Sequence, residues 1–376
     1  MRWELYVHVP FCRQKCYYCD FPSYAGRERY MEAYVDALCC ELAVRGFLYL
    51  EKWGSPATIY IGGGTPTALP SHLMEKLLHA LAVFGMAEEF TVEANPGTVD
   101  APYLATLRAY GVNRLSVGVQ SFEDRLLAGI GRIHTSEQAV RAVLMARQAG
   151  FENISIDLMY ALPRQSMEDL QRSVEQALSL AVPHISIYGL QLEEGTVFFR
   201  QQEMGKLCLP SEKLAEQMYD YMTEILPAHG YERYEISNFA RKGFAGRHNL
   251  GYWQDVPYLG VGAAAHSYLE GIRWENTASL QEYISCQQEG RSAGRLEEEV
   301  SAENSMEEYA FLALRTAEGI WRDRFLKKFS VSLESVYGDA IRRMEERGLL
   351  FVDTQGVRLT KLGMKFGNIV FEEFLL

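Results

Sequence analysis

The chain has 376 residues, 48% hydrophobic and 23% charged, with 37 basic against 49 acidic side chains and a net charge of −12. That is enough chain for one large domain and a smaller companion, and the acidic balance argues against non-specific nucleic-acid binding, which needs a basic face. No apolar run reaches the roughly eighteen residues of a membrane span, and residues 1–10 show no basic-then-apolar export segment, so a cytoplasmic location is expected.

From the start of the chain, short β-rich runs alternate with amphipathic helical runs. Strands are predicted at 4–9, 58–62, 90–94, 114–119, 154–159 and 184–190, with helices at 29–46, 71–84, 101–110, 136–150 and 166–180 between them. Several helices open on Ser or Asp, as capping requires. Six βα units in a row imply parallel strands with right-handed crossovers. The strands read as nearly continuously apolar, which predicts helices over both sheet faces. The expected fold is therefore α/β, a partial (β/α)6 barrel, open or closed, over residues 1–230. A further helix is predicted at 211–229, followed by a glycine- and aromatic-rich stretch that makes residues 231–290 an extension of the barrel. The charge run 295–308 reads as a solvated connection into a small domain, 291–376. There, helices at 306–316 and 333–347 precede a hairpin at 349–359, which together suggest a helical, winged-helix-like unit. Its wing is acidic to neutral, so a protein-contact or lid role is expected rather than DNA binding.

Seven cysteines are unevenly placed. Cys39, Cys40, Cys208 and Cys286 are scattered and read as small apolar residues in a reducing compartment. The other three form Cys12-Arg13-Gln14-Lys15-Cys16-Tyr17-Tyr18-Cys19, directly after the first predicted strand. Three thiolates on one short loop can each bind a different iron of a [4Fe–4S] cubane and leave the fourth iron open. An open position is where a ligand or substrate binds. A zinc knuckle would want a fourth ligand close by; Phe21 occupies the obvious position, and His8 lies on the strand.

Other polar positions agree with that placement. Gly62, Gly63, Gly64 and Thr65 follow the second predicted strand, where glycines let backbone approach a polar ligand. Glu93 ends the third strand, Gln120 the fourth, Asp157 lies on the fifth, and Arg132 follows the helix after the fourth. In a parallel barrel these ends share one rim, and ligands bind there. Each alone would more often be a cap or a surface group.

The cysteine spacing resembles that of the radical S-adenosylmethionine superfamily. The resemblance implies that S-adenosylmethionine chelates the open iron and that the reduced cluster can cleave it to a 5′-deoxyadenosyl radical. Residues Tyr6-Val7-His8-Val9-Pro10-Phe11, Val117-Gly118-Val119-Gln120-Ser121-Phe122 and Gly131-Arg132-Ile133-His134-Thr135 resemble the oxygen-independent coproporphyrinogen III oxidase group over nearly the whole chain. By motif match, Cys12, Cys16 and Cys19 are implied as cluster ligands. Tyr6, Tyr18, Gly63, Gly64, Thr65, Glu93, Gln120, Arg132 and Asp157 are implied as S-adenosylmethionine contacts.

Two departures from the oxidase, Phe21 in place of a further cysteine and a cluster loop starting at residue 12, resemble the heme chaperone branch of that group. The segment His248-Asn249-Leu250-Gly251-Tyr252-Trp253 matches that branch's HNxxYW pattern. The resemblance implies heme as cargo, with His248, Tyr252, Trp253 and His266 as candidate contacts, since a porphyrin wants an imidazole and flat aromatic faces. Packing is the plainer reading of those aromatic residues. The resemblance also implies delivery to heme-dependent respiratory enzymes, dimerisation and peripheral contact with membrane-bound partners. A flavodoxin-type electron donor is implied if S-adenosylmethionine is reductively cleaved. The competing expectations are oxidative decarboxylation of coproporphyrinogen III to protoporphyrinogen IX, or radical chemistry on another tetrapyrrole.

Overall fold

The computed structural model describes residues 1–376. All six predicted barrel strands are present: β1 (Glu4–Val9), β2 (Thr58–Gly63), β3 (Glu89–Ala94), β4 (Arg114–Gln120), β5 (Asn153–Tyr160) and β6 (His184–Gly189). They pair in parallel in chain order, β1 through β6. The extension then widens the sheet at both edges and runs past the predicted boundary at 290, to Glu299. On one side β7 (Asn238–Ala240) adds antiparallel to β6. On the other, β8 (Tyr258–Val261) lies parallel to β1, followed by antiparallel β9 (His266–Leu269), β10 (Ile272–Asn276) and β11 (Gly294–Glu299). With the two-residue strand Glu232–Arg233 antiparallel on the outer flank of β7, the result is one open, twelve-stranded sheet whose two ends do not pair.

Continuous apolarity is not what these strands show. Leu5, Val7 and Val9 of β1, Ile59 and Ile61 of β2, and Leu115, Val117 and Val119 of β4 are buried in the main core with the surrounding helices. The alternate positions carry Glu4, Tyr6 and His8, then Thr58 and Tyr60, then Arg114, Ser116 and Gly118. Successive side chains point to opposite faces, so the helices cover the outer face while the inner face is a polar lumen. The predicted helices stand, with ends shifted. The helix expected over 29–46 is an α-helix, Met31–Glu41, that loosens into a π turn, Leu42–Gly46, and continues as Phe47–Trp53. Ser166 and Thr135 each close a capping box on their helices.

The charge run 295–308 is not a solvated connection. It forms β11 and, after the N-cap Ser301, the helix Ala302–Leu314. An edge strand tolerates such polarity because one flank faces solvent. Cross-strand ion pairs support it, with Arg295 2.6 Å from Glu275 and Arg273 3.9 Å from Glu298, and Arg273 also reaches Glu308 on the following helix at 2.5 Å. The C-terminal unit has its own core. Helices Ala302–Leu314, Arg322–Phe329 and Leu333–Glu346 pack on a three-stranded sheet of Ile320–Trp321, Leu350–Val352 and Gly356–Leu359. The expected wing is there; the strand Ile320–Trp321 and the closing helices Lys361–Lys365 and Gly367–Glu372 were not foreseen. No helix is long and apolar enough to cross a membrane.

The lower end of the lumen, where the strands begin, is filled by the short helix Arg247–Trp253. Its first amides, of Arg247 and His248, donate to the Glu89 carboxylate at 2.9 and 3.1 Å. Glu4 packs beneath it with neither carboxyl oxygen hydrogen-bonded, and burial pushes its pKa up to about 9. A carboxyl whose folded pKa lies above its ordinary value stabilises the fold fully at pH 4 and loses that contribution as pH climbs toward 9. The isosteric Glu4→Gln does not titrate. Relative to the parent chain it should therefore be more stable at pH 8, by on the order of 2–4 kcal/mol, and gain nothing at pH 4. Thermal midpoints at the two pH values check this; an equal gain at both would refute the assignment of a buried, protonated Glu4.

Candidate functional site

The cysteine loop leaves β1 through the short strand Phe11–Cys12, which pairs in parallel with Tyr24–Ala25 and so folds the loop back on itself. The segment after β4 grips it. The Tyr17 amide donates to the Ile130 carbonyl at 3.0 Å, and Gln14 Nε2 to the Gly131 carbonyl at 3.0 Å. A Cβ at Gly131, whose φ is +78°, would stand 3.0 Å from the Tyr17 ring. Cys12 Sγ lies 3.6 Å from Thr65 Oγ1, and Arg132 Nη1 donates to Cys16 Sγ at 3.7 Å. Arg132 also donates to the Gly118 carbonyl, while its Nε is buried without a partner. Burial raises the Cys12 thiol and pushes Cys19 up to about 11, so binding of iron would have to displace these protons.

The glycine run is shaped by what lies against it. At Gly63, φ is +116°, and a Cβ would stand 2.7 Å from the His8 ring; at Gly64 it would stand 2.9 Å from the Phe11 carbonyl and 3.0 Å from Cys12 Sγ. The Gly63 amide is thus free to turn inward, where it donates to Glu93 Oε2 at 3.2 Å; Tyr60 donates to Oε1 at 2.6 Å. Burial pushes Glu93 up to about 7, against the pull of Tyr60, while neighbouring Asp157 raises it further. Asp157 is likewise raised by burial and pulled down by Arg114 and Arg132. Gln120 ends β4 at φ +67°, where the register with β5 shifts. A left-handed conformation is rare away from glycine and costs energy that sites tolerate for geometry. Tyr18 sits beside Cys16 and Arg132, its phenol held protonated by burial. Tyr6 reaches the same lumen, hydroxyl 2.9 Å from His8 Nδ1.

All nine residues expected around S-adenosylmethionine therefore share the upper lumen and rim with the cysteine loop. Two participants were not assigned to this site in the sequence reading, which weighed His8 only as a zinc ligand. Asn95 Nδ2 donates to Thr65 Oγ1 at 3.2 Å, and its Oδ1 is buried without a partner; its place two residues past Glu93 was the available signal. His8 binds the Pro22 carbonyl at 2.9 Å and backs Gly63, as its even spacing with Glu4 and Tyr6 would have suggested.

The four candidate heme residues are not brought together. His248 is buried in the lower plug, Nδ1 2.6 Å from Thr58 Oγ1 and Nε2 2.9 Å from the Tyr252 hydroxyl. Burial, aided by Arg114, pushes its pKa down to about 3. Tyr252 meets Tyr258 edge-on at 4.8 Å, and Trp253 lies under the Arg315 guanidinium at 4.6 Å. His266, on β9, is the exposed one: its side chain is 49% exposed, with Nδ1 3.1 Å from Glu297 Oε2.

Residues 6–177 match the Radical SAM superfamily and residues 300–366 the HemN C-terminal domain, so the chain is a radical S-adenosylmethionine protein with a HemN-type C-terminal unit. It is 43% identical to a protein of Lactococcus lactis subsp. lactis (strain IL1403) named heme chaperone HemW, over 99% of this chain and 97% of that one. It is 40% identical to the heme chaperone HemW of Bacillus subtilis (strain 168), over 98% of each. The chain belongs to the HemW family. The solved structure of the Escherichia coli coproporphyrinogen III oxidase HemN, a radical SAM enzyme, superposes with a TM-score of 0.86 over 99% of this chain and 90% of that one. At 23% identity that likeness establishes a shared fold.

Membership in the radical SAM superfamily implies a [4Fe–4S] cluster and S-adenosylmethionine. The residues present fit both. Three soft thiols share one loop against hydroxyl and guanidinium donors, and no three His, Cys, Asp or Glu side chains converge tightly enough to grip a single ion. Cys12, Cys16 and Cys19 would hold the cluster, which, when bound, would offer one-electron chemistry beside S-adenosylmethionine. The chain's own part is placement: Tyr60 and the Gly63 amide hold the Glu93 carboxyl at the rim, and Arg132 fixes Cys16. Because a Cβ at Gly64 or at Gly118 (2.6 Å from Arg132 Nη2) meets that machinery directly, Gly64→Ala and Gly118→Ala should each lower iron retained after anaerobic reconstitution to roughly half or less, with the fold intact by circular dichroism. Full iron content in both would refute this packing.

Proposed function

We propose that this chain is a heme chaperone: it holds heme as cargo and passes it to heme-dependent proteins, respiratory enzymes among them. The observation that carries the proposal is near-full-length kinship, at 40–43% identity, with two proteins named heme chaperone HemW. Cys12, Cys16 and Cys19 hold the cluster. Tyr6, Tyr18, Gly63, Gly64, Thr65, Glu93, Gln120, Arg132 and Asp157 hold S-adenosylmethionine. A cytoplasmic setting, a homodimer, peripheral contact with membrane-bound acceptors and a flavodoxin-type reductant belong to the same proposal.

Among the four candidate heme contacts, the geometry favours His266. On β9 it shares a face with Tyr268, which stands opposite Tyr258 of β8 and Arg273 of β10. Tyr258 touches Tyr252, so this face continues the inner face of the barrel. Glu297 engages Nδ1 and leaves Nε2 without a protein partner. A carboxylate on one imidazole nitrogen fixes the ring and strengthens the other as a ligand.

Heme titrated into the reconstituted protein should give a stoichiometric Soret band, and coproporphyrinogen III with S-adenosylmethionine and reductant should yield no protoporphyrinogen by mass spectrometry. His266→Ala should weaken heme binding about tenfold or more, and Glu297→Gln less. Turnover of coproporphyrinogen would replace the chaperone reading with the oxidase; undiminished heme affinity in His266→Ala would remove His266 from the site.

A further inference from the structure

The HNxxYW helix lies at the far end of the lumen from the cysteine loop, yet its histidine packs on two rings that lead to the upper site, Tyr60 and, at 6.5 Å between centroids, Tyr6. His248 is 1% exposed, and both ring nitrogens are engaged, by Thr58 and Tyr252. To ligate iron, His248 would have to break one of these bonds and leave the core. The flat face of the ring is engaged as well. Tyr60 stacks on it, centroids 4.9 Å apart and planes 24° apart. Tyr6 in turn stacks on Tyr60, at 6.1 Å and 29°.

Tyr60 is the residue whose hydroxyl donates to Glu93, and Glu93 is the residue that accepts the Gly63 amide. Gly62 leaves room for this contact: a Cβ there would stand 2.7 Å from the Tyr60 ring and 3.1 Å from the Glu93 carboxyl carbon. A phenol on a strand can tip about its side-chain torsions, and a hydrogen bond weakens steeply as its angle opens. With Tyr6 and His248 packed against it, the Tyr60 ring is confined, and the bond to Glu93 keeps its direction.

We propose that His248 is a positioning residue for the S-adenosylmethionine site: by stacking on Tyr60 it aims the Tyr60 hydroxyl that holds the Glu93 carboxylate against Gly63. This rests on the reading of Gly63 and Glu93 as S-adenosylmethionine contacts. It makes the HNxxYW helix part of the S-adenosylmethionine site and not of the heme seat.

The test uses the full chain with its cluster reconstituted, measuring S-adenosylmethionine Kd by calorimetry and heme uptake separately by the Soret band. Tyr60→Phe, which keeps the ring and removes the hydroxyl, should raise Kd about tenfold, the effect of losing one hydrogen bond to a carboxylate. His248→Ala should do the same. The double variant should be no worse than either single, because both act through one bond. His248→Phe, which restores a flat ring but no hydrogen bonds, should recover most of the affinity. Heme uptake should be unchanged throughout.

An unchanged Kd in Tyr60→Phe overturns the proposal, and that variant is isosteric, so the result stands even if His248→Ala does not fold. Losses that multiply in the double variant overturn it too. So does a His248→Ala protein that loses the Soret band and keeps its S-adenosylmethionine affinity. Glu93→Gln separates the two levels. If it leaves Kd unchanged, the underlying site reading fails; if it weakens binding while Tyr60→Phe does not, only the positioning role fails.

Discussion

One buried guanidinium, Arg114, sets the electrostatics of the lumen. It lies at the start of β4, 4% exposed, and the carboxyls of Glu89 and Asp157 favour its charged form against the cost of burial. The same positive charge draws Asp157 and Glu93 down from where burial alone would leave them, and helps keep His184 and His248 neutral. A buried cation is expensive to hold without opposite charge nearby, and the Nε of Arg114 is itself without a hydrogen-bond partner. The inner positions of the neighbouring strands are polar accordingly: Glu89, Ser116, Ser155, Asp157 and His184 form a lining that an apolar residue could join only at the expense of that charge.

This lining gives the barrel two unlike ends. Below, the Arg247–Trp253 helix closes it, its amide ends on Glu89 and its histidine among Thr58, Tyr60 and Tyr252. Above, strands end in glycines, a left-handed Gln120 and half-buried carboxylates, and there the cysteine loop folds over. Parallel α/β barrels keep stability at the N-terminal ends of their strands and chemistry at the C-terminal ends. The positions of Glu4 and Glu93, both on inner faces but at opposite levels, follow that division. The one is held neutral with no partner, the other held by two donors.

Much of this was legible from residues. The six strands were located to within a residue or so at either end, because Gly, Pro and Asp punctuate them, and Gly63, Glu93 and Gln120 were placed on the rim because each stood at the end of a predicted strand. Alternation along the strands was equally visible, in Glu4, Tyr6, His8 and in Arg114, Ser116, Gly118, Gln120. It was passed over because Tyr, Thr and His have strand propensity and do not interrupt a β-rich run. The parallel strand Tyr258–Val261 pairs with β1 across some 250 residues of chain, and no local pattern records such pairing. The charged edge strand Gly294–Glu299 was missed for the opposite reason: its polarity is that of a solvent-facing edge, which composition alone cannot tell from a loop. For His248, the motif was found and its side of the barrel was not, since a seven-residue helix carries no signal for which cavity it enters.

The placement of that helix bears on how a protein of this kind could serve two ligands. Three of its four pattern residues face three different bodies: His248 the lumen, Tyr252 the sheet extension through Tyr258, and Trp253 the C-terminal unit through Arg315. Asp255, just beyond, is paired with Lys328 of the same C-terminal unit. The C-terminal unit, the sheet extension and the lumen behind the cysteine rim therefore meet at this one short helix. A neutral flat ring, a hydroxyl and an indole under a guanidinium each suit the body they touch: the imidazole stacks on Tyr60, the Tyr252 ring meets Tyr258 edge-on, and Trp253 receives a cation on its face.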